Sequence, residues 1–208
     1  MLRLVKNQTF FHINRVLPHS PQYLLEVGQQ VEAGLSENPF FGFYRGPARS
    51  FPVRQADGKV LPVPAIRYID NVASGAFTPG DWRAFAGEAR LTARHFMMLA
   101  RELLWESVRA AEFPDRPSRQ RGMWLTDATS LEIWKRRLAF DQLTPTRIVE
   151  VSATGLALET DAMLLLGESE SLGETERKAR AYWSGGSGAP GGEPETLFSG
   201  TMVVTGIV

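Results

Sequence analysis

The sequence predicts an α+β fold, and three features of the chain lead to that class. Isolated β-branched or aromatic runs are separated by helix-like segments of very different lengths, without regular β-α-β alternation. No Gly-x-Gly-x-x-Gly follows a predicted strand and no Gly-x-x-x-x-Gly-Lys motif occurs, which argues against a doubly wound parallel sheet. The length of 208 residues is typical of one domain with one substantial core.

The composition excludes several classes of function. Lys plus Arg and Asp plus Glu each total 23, so no net field attracts nucleic acid or an anionic membrane, although a local basic patch stays open. The absence of Cys excludes disulfides and thiolate chemistry, and the three scattered His give no expected metal site. The polar N-terminus and the lack of a long apolar run predict a cytoplasmic protein with no membrane partner, with export without a signal left open.

In the first part of the chain we expect a strand, a helix and a long insertion. Thr9–Ile13 is short, β-branched and aromatic, which predicts an edge or near-edge strand. Residues 22–33 carry apolar side chains at helical spacing between a Ser-Pro entry and a glycine exit, which predicts a short helix. Residues 36–80 are rich in Gly, Pro and aromatics, so we interpret them as a substrate-facing or lid-like insertion, with short strands near 59–61 and 66–69.

The clearest helix of the chain is predicted from about Asp81 to Ala111. A proline lies at its entry, strong helix formers fill it, and Phe113-Pro114 ends it. The remaining elements follow from hydrophobic periodicity and turn residues: a strand at 122–126, a helix at 131–138, a strand at 147–152, a helix at 174–183, a Gly/Ser linker at 184–192 and a final strand that begins where the acidic triplet at 193–195 stops.

A serine-hydrolase triad is not expected, because the chain has no Gly-x-Ser-x-Gly elbow. Two of the three histidines are interpreted as structural. His19 lies in a turn beside proline and serine, and His95 lies inside the long predicted helix. This leaves His12, on the first strand, as the histidine to consider for chemistry.

Four segments stand out together. They are Phe11-His12-Ile13-Asn14-Arg15; Glu106-Ser107-Val108-Arg109 leading to Phe113-Pro114-Asp115-Arg116-Pro117-Ser118-Arg119; Met123-Trp124-Leu125-Thr126; and Pro194-Glu195-Thr196-Leu197-Phe198-Ser199-Gly200. In this order they resemble the ADP-ribosyltransferase superfamily, and more closely an uncharacterised bacterial family within it. That family has a His-Ile-x-Arg start, a Phe-Pro-x-x-Pro-Ser-Arg turn and a late Tyr-Trp-x-Gly before a terminal Glu strand. The resemblance covers nearly the whole chain except the insertion at 36–80.

The resemblance implies a single domain whose split mixed β-sheet, flanked by helices, holds NAD as a co-substrate in a cleft. His12 would contact the nicotinamide ribose or its amide, and Arg15 would bind the pyrophosphate through its guanidinium fork. Ser118 and Arg119 would make further nucleotide contacts, and Trp124 would offer a stacking surface. Ordinary structural roles are the alternatives: a hydrogen-bonded strand histidine for His12, a solvated charge for Arg119 and a core side chain for Trp124.

The Glu-x-Glu formed by Glu193 and Glu195 resembles the acidic motif of that superfamily, whose second Glu is catalytic. Cleavage of the nicotinamide bond builds oxocarbenium character on the ribose, and a fixed carboxylate stabilises that transition state more than the ground state. Glu150, in the strand at 147–152, is the competing acid. An exposed acidic loop before a core strand is the ordinary alternative. The chain also departs from the toxin-like pattern, because Trp124-Leu125-Thr126 replaces a Ser-Thr-Ser motif.

The first functional hypothesis is NAD-dependent transfer of ADP-ribose to a protein or nucleic-acid acceptor with release of nicotinamide. The second is an NAD hydrolase on the same fold, in which water is the acceptor. The third is a non-catalytic module that recognises a nucleotide or a partner protein, and the aromatic insertion at 36–80 is the feature that favours it.

Overall fold

The computed structural model describes residues 1–16, 24–46, 49–55, 57–138, 144–165, 170–186 and 191–208. The chain divides into two compact units. The first unit consists of residues 1–43 and 102–208, and the inserted unit consists of residues 44–101.

Seven strands and five α-helices are found in the described part of the chain. In chain order they are β1 (Leu2–Arg15), β2 (Gln30–Ala33), α1 (Pro39–Gly42), β3 (Ser50–Arg54), β4 (Val60–Pro64), α2 (Ala65–Ala73), α3 (Trp82–Glu112), β5 (Met123–Leu125), α4 (Leu131–Arg137), β6 (Thr146–Asp161), α5 (Leu172–Trp183) and β7 (Pro194–Ile207). Short 3-10 turns occur at Phe43–Arg45 and Ala162–Leu165.

A five-stranded sheet forms the centre of the first unit. Its order is β1-β6-β7-β2, and β5 pairs with β7 as well. Every pairing between these described strands is antiparallel. The α+β class with helices flanking a sheet is therefore confirmed, whereas the mixed parallel and antiparallel pairing expected from the sequence is wrong for these strands.

One backbone bridge joins the two ends of this sheet. The N–H of Phe11 donates to the carbonyl of Thr126 at 2.8 Å, and the N–H of Thr126 donates back to the carbonyl of Phe11 at 2.9 Å. Because β1 pairs with β6, β6 with β7, and β7 with β5, this bridge closes the path from β1 to β5 into a ring. The closure brings the end of β1 beside β5, where two of the predicted site residues lie.

The long central strands bury side chains on both faces, as strand alternation requires. One face carries a core of small and branched residues with Phe10, Phe198 and Met202 at its centre. The other face carries Leu158 and Leu197, which α3 and α5 cover with the aromatic residues Trp105, Tyr182 and Trp183. Glu195 lies two positions before Leu197 on β7 and so points to the face of the sheet that these two helices cover.

The inserted unit contains a hairpin, a short helix and the first part of α3. β3 and β4 pair antiparallel, and α2 follows directly. The ring of Tyr68 lies 4.9 Å from that of Phe51, 5.8 Å from that of Phe77 and 6.0 Å from that of Phe85, measured between centroids. Most of the segment predicted as an insertion is thus regular structure held by an aromatic cluster.

Several predicted elements are found close to their expected bounds. The long helix from about Asp81 to Ala111 is α3, and Phe113-Pro114 follows its end. The strand at Thr9–Ile13 and the strand at 147–152 are confirmed, but both are longer in the structure. The final strand starts at Pro194, inside the acidic triplet, and not after it.

Two local predictions are wrong. Residues 24–33 form no helix: they contain a turn in which Gly28 has a φ of +85°, followed by β2, which pairs with β7. Val31 lies opposite Met202, so its apolar side chain belongs to an edge strand of the sheet and not to the buried face of a helix. Residues 66–69, expected as a strand, lie in the helix α2. This helix starts directly after Pro64, and proline is tolerated at the start of a helix. His19 lies outside the described residues.

Among the described residues, no helix combines the length and the apolar character needed to cross a bilayer. In the same part of the chain, no group of three or more His, Asp and Glu is arranged to hold a metal ion.

Candidate functional site

Glu195 is the second residue of β7 and one of the few buried acids of the chain. It pairs with Thr160 of β6, and only 7% of its surface is exposed. The preceding residues are fixed from outside: the indole N–H of Trp134 donates to the carbonyl of Pro194 at 2.8 Å, and Arg137 forms an ion pair with Glu193. Helix α4 therefore holds the start of β7 in place, and Glu195 points inward from a rigid strand.

Two donors converge on one oxygen of the Glu195 carboxylate. The hydroxyl of Tyr182 donates to Oε1 at 2.5 Å, and Nη1 of Arg119 donates to the same atom at 3.0 Å. The other oxygen, Oε2, accepts no hydrogen bond from the residues that the structure describes. A carboxylate held through one oxygen keeps the second available to a ligand.

Arg119 links Glu195 to a second buried acid. Its Nε donates to Oε2 of Glu102 at 3.1 Å and its Nη2 to Oε1 at 3.4 Å, and its Nη1 also donates to the hydroxyl oxygen of Tyr182 at 2.9 Å. Four of its five N–H groups are thus used inside the protein. Arg119, Glu102, Tyr182 and Glu195 are named the Glu195 cluster below.

Aromatic rings enclose the guanidinium of Arg119. Its carbon lies 5.8 Å from the ring centroid of Trp105, 5.3 Å from that of Trp124 and 5.2 Å from that of Tyr182. Such contacts favour the cation, and they are stronger where water is excluded. With 5% of its surface exposed, Arg119 is not the solvated surface charge that was the alternative from sequence.

The charges and the burial within the cluster determine the protonation states of Arg119 and Tyr182. Burial acts to lower the pKa of Arg119, but the negative charges of Glu102 and Glu195 outweigh it and raise that pKa well above its usual value. Burial raises the pKa of the Tyr182 phenol well above its usual value, and the neighbouring charge of Glu195 raises it further. Arg119 is therefore a cation, and Tyr182 is a neutral hydrogen-bond donor. Glu102, Arg119 and Glu195 all lie in a part of the protein that is nearly inaccessible to solvent.

His12 and Trp124 form the next layer of the site. Nδ1 of His12 lies 2.9 Å from the carbonyl oxygen of Trp124, and this acceptor requires that Nδ1 carries the proton. Burial lowers the pKa of His12 below 6.5, although the bond to Trp124 opposes that shift. The imidazole is neutral, and its Nε2 is left as an acceptor. The ring of Trp124 also contacts the guanidinium of Arg119. Trp124 therefore connects His12 to the Glu195 cluster.

The other two predicted cofactor residues lie apart from the cluster. Ser118 donates its hydroxyl to Oε2 of Glu106 at 2.9 Å, and Glu106 in turn binds Arg109. Arg15, at the end of β1, directs Nη1 to the carbonyl of Leu138 at a distance of 3.4 Å. The structure thus brings together Glu195, Arg119, Trp124 and His12, and it places Ser118 and Arg15 elsewhere.

Glu150, the competing acid, lies far along the sheet from Glu195. It pairs with Gly206 near the end of β7, and its carboxylate accepts a hydrogen bond from the hydroxyl of Thr205 at 2.9 Å. Ten positions of β6 separate it from Thr160, the partner of Glu195, which corresponds to about 33 Å of extended strand. Glu150 and Glu195 therefore belong to different sites.

A surface cleft of about 410 Å³ lies beside Ser118 and not at Glu195. It is lined by Arg109, Arg116, Arg121, Glu106 and Ser199, among others. Arg109 is already bound to Glu106 and to the carbonyls of Pro114 and Arg116. Arg109 therefore uses four of its five N–H groups within the protein.

Two members of the Glu195 cluster were not proposed from the sequence. Tyr182 belongs to the late Tyr-Trp pair of the resemblance, which was a signal for importance but not for contact with Glu195. Glu102 lies inside α3 between Arg101 and Leu103 and carried no signal, since only the packing of α3 against the 116–119 turn reveals its partner.

A comparison with models of protein families shows to which family this chain belongs. Residues 10–208 match the model of DUF2441, a protein family of unknown function. The chain belongs to the DUF2441 family. A search of the curated proteins found no match. For this DUF2441 protein, the match spans β1 to β7 and so includes every residue of the Glu195 cluster.

Proposed function

We propose that this DUF2441 protein transfers ADP-ribose from NAD to a macromolecular acceptor with release of nicotinamide, and that Glu195 is the catalytic carboxylate. The observation that carries the proposal is the fixation of Glu195 through Oε1 by Arg119 and Tyr182, with Oε2 bound by no described residue. A carboxylate held in advance stabilises a developing cation without reorganisation in the transition state.

The reaction requires the protein to stabilise developing positive charge, and it requires no covalent bond to a side chain of the protein. The bond between the nicotinamide nitrogen and ribose C1′ breaks, and nicotinamide leaves with the bonding pair. Positive charge then develops on the ribose, and a nucleophile of the acceptor forms the new bond to C1′ and loses its proton. The carboxylate of Glu195 is held in a buried position, where its negative charge favours such a transition state.

The neighbouring residues suit the nicotinamide ribose end of NAD. Neutral His12 offers Nε2 as an acceptor for a ribose hydroxyl or an amide N–H, and Trp124 offers a ring beside it. We assign Arg119 to the positioning of Glu195, and not to direct contact with the nucleotide, because four of its five donors are occupied. Arg15 stays the proposed pyrophosphate ligand, at the end of the strand that carries His12.

The decisive experiment measures nicotinamide release from NAD by the full chain and its Glu195→Gln variant. Loss of a preorganised charged group of this kind lowers the rate by about 10²-fold or more. Glu159→Gln is the matched control, because Glu159 is an exposed acid on the strand beside Glu195 and should leave the rate unchanged. An equal rate in the Glu195 variant removes Glu195 from catalysis, and no release by the wild-type chain removes the proposed activity.

A non-catalytic binding module is the second candidate, and the burial of Glu195 favours it. Only 7% of Glu195 is exposed, and a buried ion network can serve solely to fix the packing of α3, α5 and β7. Titration calorimetry with NAD separates the two candidates: a module of this kind binds NAD or another nucleotide without releasing nicotinamide.

A further inference from the structure

The zero net charge of the chain hides a division between its two units. The inserted unit, residues 44–101, contains nine Lys and Arg and four Asp and Glu, a formal charge of +5. The first unit contains fourteen Lys and Arg and nineteen Asp and Glu, a formal charge of −5. Net charge of one sign confined to one unit is a physical basis for binding a polymer of the opposite sign.

Three arginines of the inserted unit form a line along α3. Arg83, Arg90 and Arg94 are spaced at i, i+7 and i+11, which places them within about 40° of one another around the helix axis and spreads them over about 16 Å. All three are exposed. The helix face opposite to them carries buried Thr92 and half-buried Phe85, so the arginine stripe faces solvent.

Three of the four acids of the inserted unit are engaged by groups other than this stripe. Asp57 pairs with Lys59, Glu88 pairs with Arg49, and Asp81 accepts hydrogen bonds from the first backbone N–H groups of α3. None of the three guanidinium groups of the stripe forms an ion pair with a residue that the structure describes. Their charge is therefore available to a ligand.

An exposed tryptophan lies at one end of the stripe. Trp82 precedes Arg83 directly and has 60% of its surface exposed, with its ring edge-on to Phe85 at 5.9 Å between centroids. A flat ring held against a packed neighbour and open on its outer side is a surface on which a nucleobase can stack.

We propose that the inserted unit binds single-stranded nucleic acid, with Arg83, Arg90 and Arg94 on phosphates and Trp82 stacked on a base. Eight of the nine basic residues in the unit are arginines, whose planar fork matches phosphate oxygens. A membrane surface fits less well, because an interfacial helix needs its apolar face free, whereas Phe85 of α3 is packed against Tyr68. The proposal goes beyond NAD chemistry and does not depend on Glu195.

The test uses the full chain and a fluorescent single-stranded oligonucleotide of about 20 nucleotides, which exceeds the 4–16-nucleotide sites of single-strand binding folds. Anisotropy gives Kd at several salt concentrations between about 50 and 200 mM. Three phosphate contacts contribute about 2 to the slope of log Kd against log salt. We expect the triple variant Arg83→Gln/Arg90→Gln/Arg94→Gln to bind more weakly and to lose that part of the slope.

Two further variants distinguish stacking and geometry from mere charge. Trp82→Ala should raise Kd about fivefold or more with an unchanged salt slope, since a stacked base is lost but no phosphate contact is. The control Arg136→Gln/Arg177→Gln/Arg180→Gln removes three exposed charges from the first unit and should leave Kd and slope as in the wild type.

Three outcomes overturn the proposal. They are no binding of the oligonucleotide at the lowest salt concentration, an equal loss of affinity in both triple variants, and tighter binding to a duplex of the same sequence or to anionic phospholipid vesicles than to the single strand. Circular dichroism of each variant confirms that α3 is intact, which is expected because the changed side chains are exposed.

Discussion

The two units use arginine in opposite ways. Arg119 of the first unit is buried, bound to two carboxylates and one phenol, and surrounded by three aromatic rings. Arg83, Arg90 and Arg94 of the inserted unit are exposed and form no ion pair with the described residues. The first arrangement fixes the position of an acid, and the second leaves charge for a partner.

The difference has an energetic basis. A buried ion pair costs several kcal/mol of desolvation per ion and returns it only if every charge is paired. Removal of one partner is therefore severe, whereas an exposed cation stays hydrated and contributes little to stability. Replacement of arginine by an uncharged residue should thus lower the free energy of unfolding when it is made in the first unit. In the inserted unit the same replacement should lower the affinity for a ligand.

The largest effect is expected for Arg119→Met. The variant leaves Glu102 and Glu195 buried without their cation, which should lower the free energy of unfolding by about 3–5 kcal/mol. Urea denaturation followed by tryptophan fluorescence measures this change. Arg177→Met is the control, since Arg177 lies on the exposed face of α5 and pairs only with neighbouring Glu174.

Removing one of the two acids together with Arg119 should recover part of that loss. The variant Arg119→Met/Glu102→Gln removes one of the two acids that have lost Arg119 and should be more stable than Arg119→Met alone. If Arg119→Met is as stable as the wild type, the Glu195 cluster does not stabilise the first unit.

A smaller effect concerns pH and His12. Because burial lowers the pKa of His12, the unfolded chain takes up this proton near pH 6.5 and the folded chain only at lower pH. The contribution of His12 to stability is complete above pH 6.5 and is lost as the pH falls toward its lowered value, by at most about 1.4 kcal/mol per pH unit. Denaturation between about pH 7.5 and 5.5 measures it.

The matched variants for this pH effect are His12→Gln and His95→Gln. Glutamine at position 12 can still donate to the carbonyl of Trp124 but does not titrate, so the loss of stability at low pH should shrink. His95, on α3, lies against the rings of Tyr44 and Phe96 and not beside Trp124, so its variant should keep that part of the loss. An unchanged pH dependence in His12→Gln contradicts a neutral, half-buried His12.

The sequence predicted the parts of the site that local patterns control. Helix formers and flanking prolines locate α3, and the apolar run after Glu195 locates β7. The partners within the site could not be predicted in this way. Glu102, Arg119, Tyr182 and Glu195 lie on four segments of the chain, and only packing of α3 and α5 on the sheet brings them together.

Two other failures have a similar cause. The apolar residues at 24–33 fit a helix, but pairing with β7 satisfies the same residues as an edge strand, and local sequence does not distinguish these outcomes. The charge division between the units was hidden because α3 runs across the boundary at residues 101 and 102. A continuous helix gives no sequence signal that two compact units meet within it.

The smallest effect completes the comparison between the two kinds of arginine. Arg83→Gln/Arg90→Gln/Arg94→Gln should change the free energy of unfolding by within about 0.5 kcal/mol per substitution, because these exposed side chains form no ion pair with described residues. Urea denaturation under the conditions used for Arg119→Met gives the value. A loss as large as that of Arg119→Met would mean that the stripe stabilises the inserted unit. An unchanged free energy of unfolding leaves the binding of a ligand as the physical reason for three aligned cations that form no ion pair with described residues.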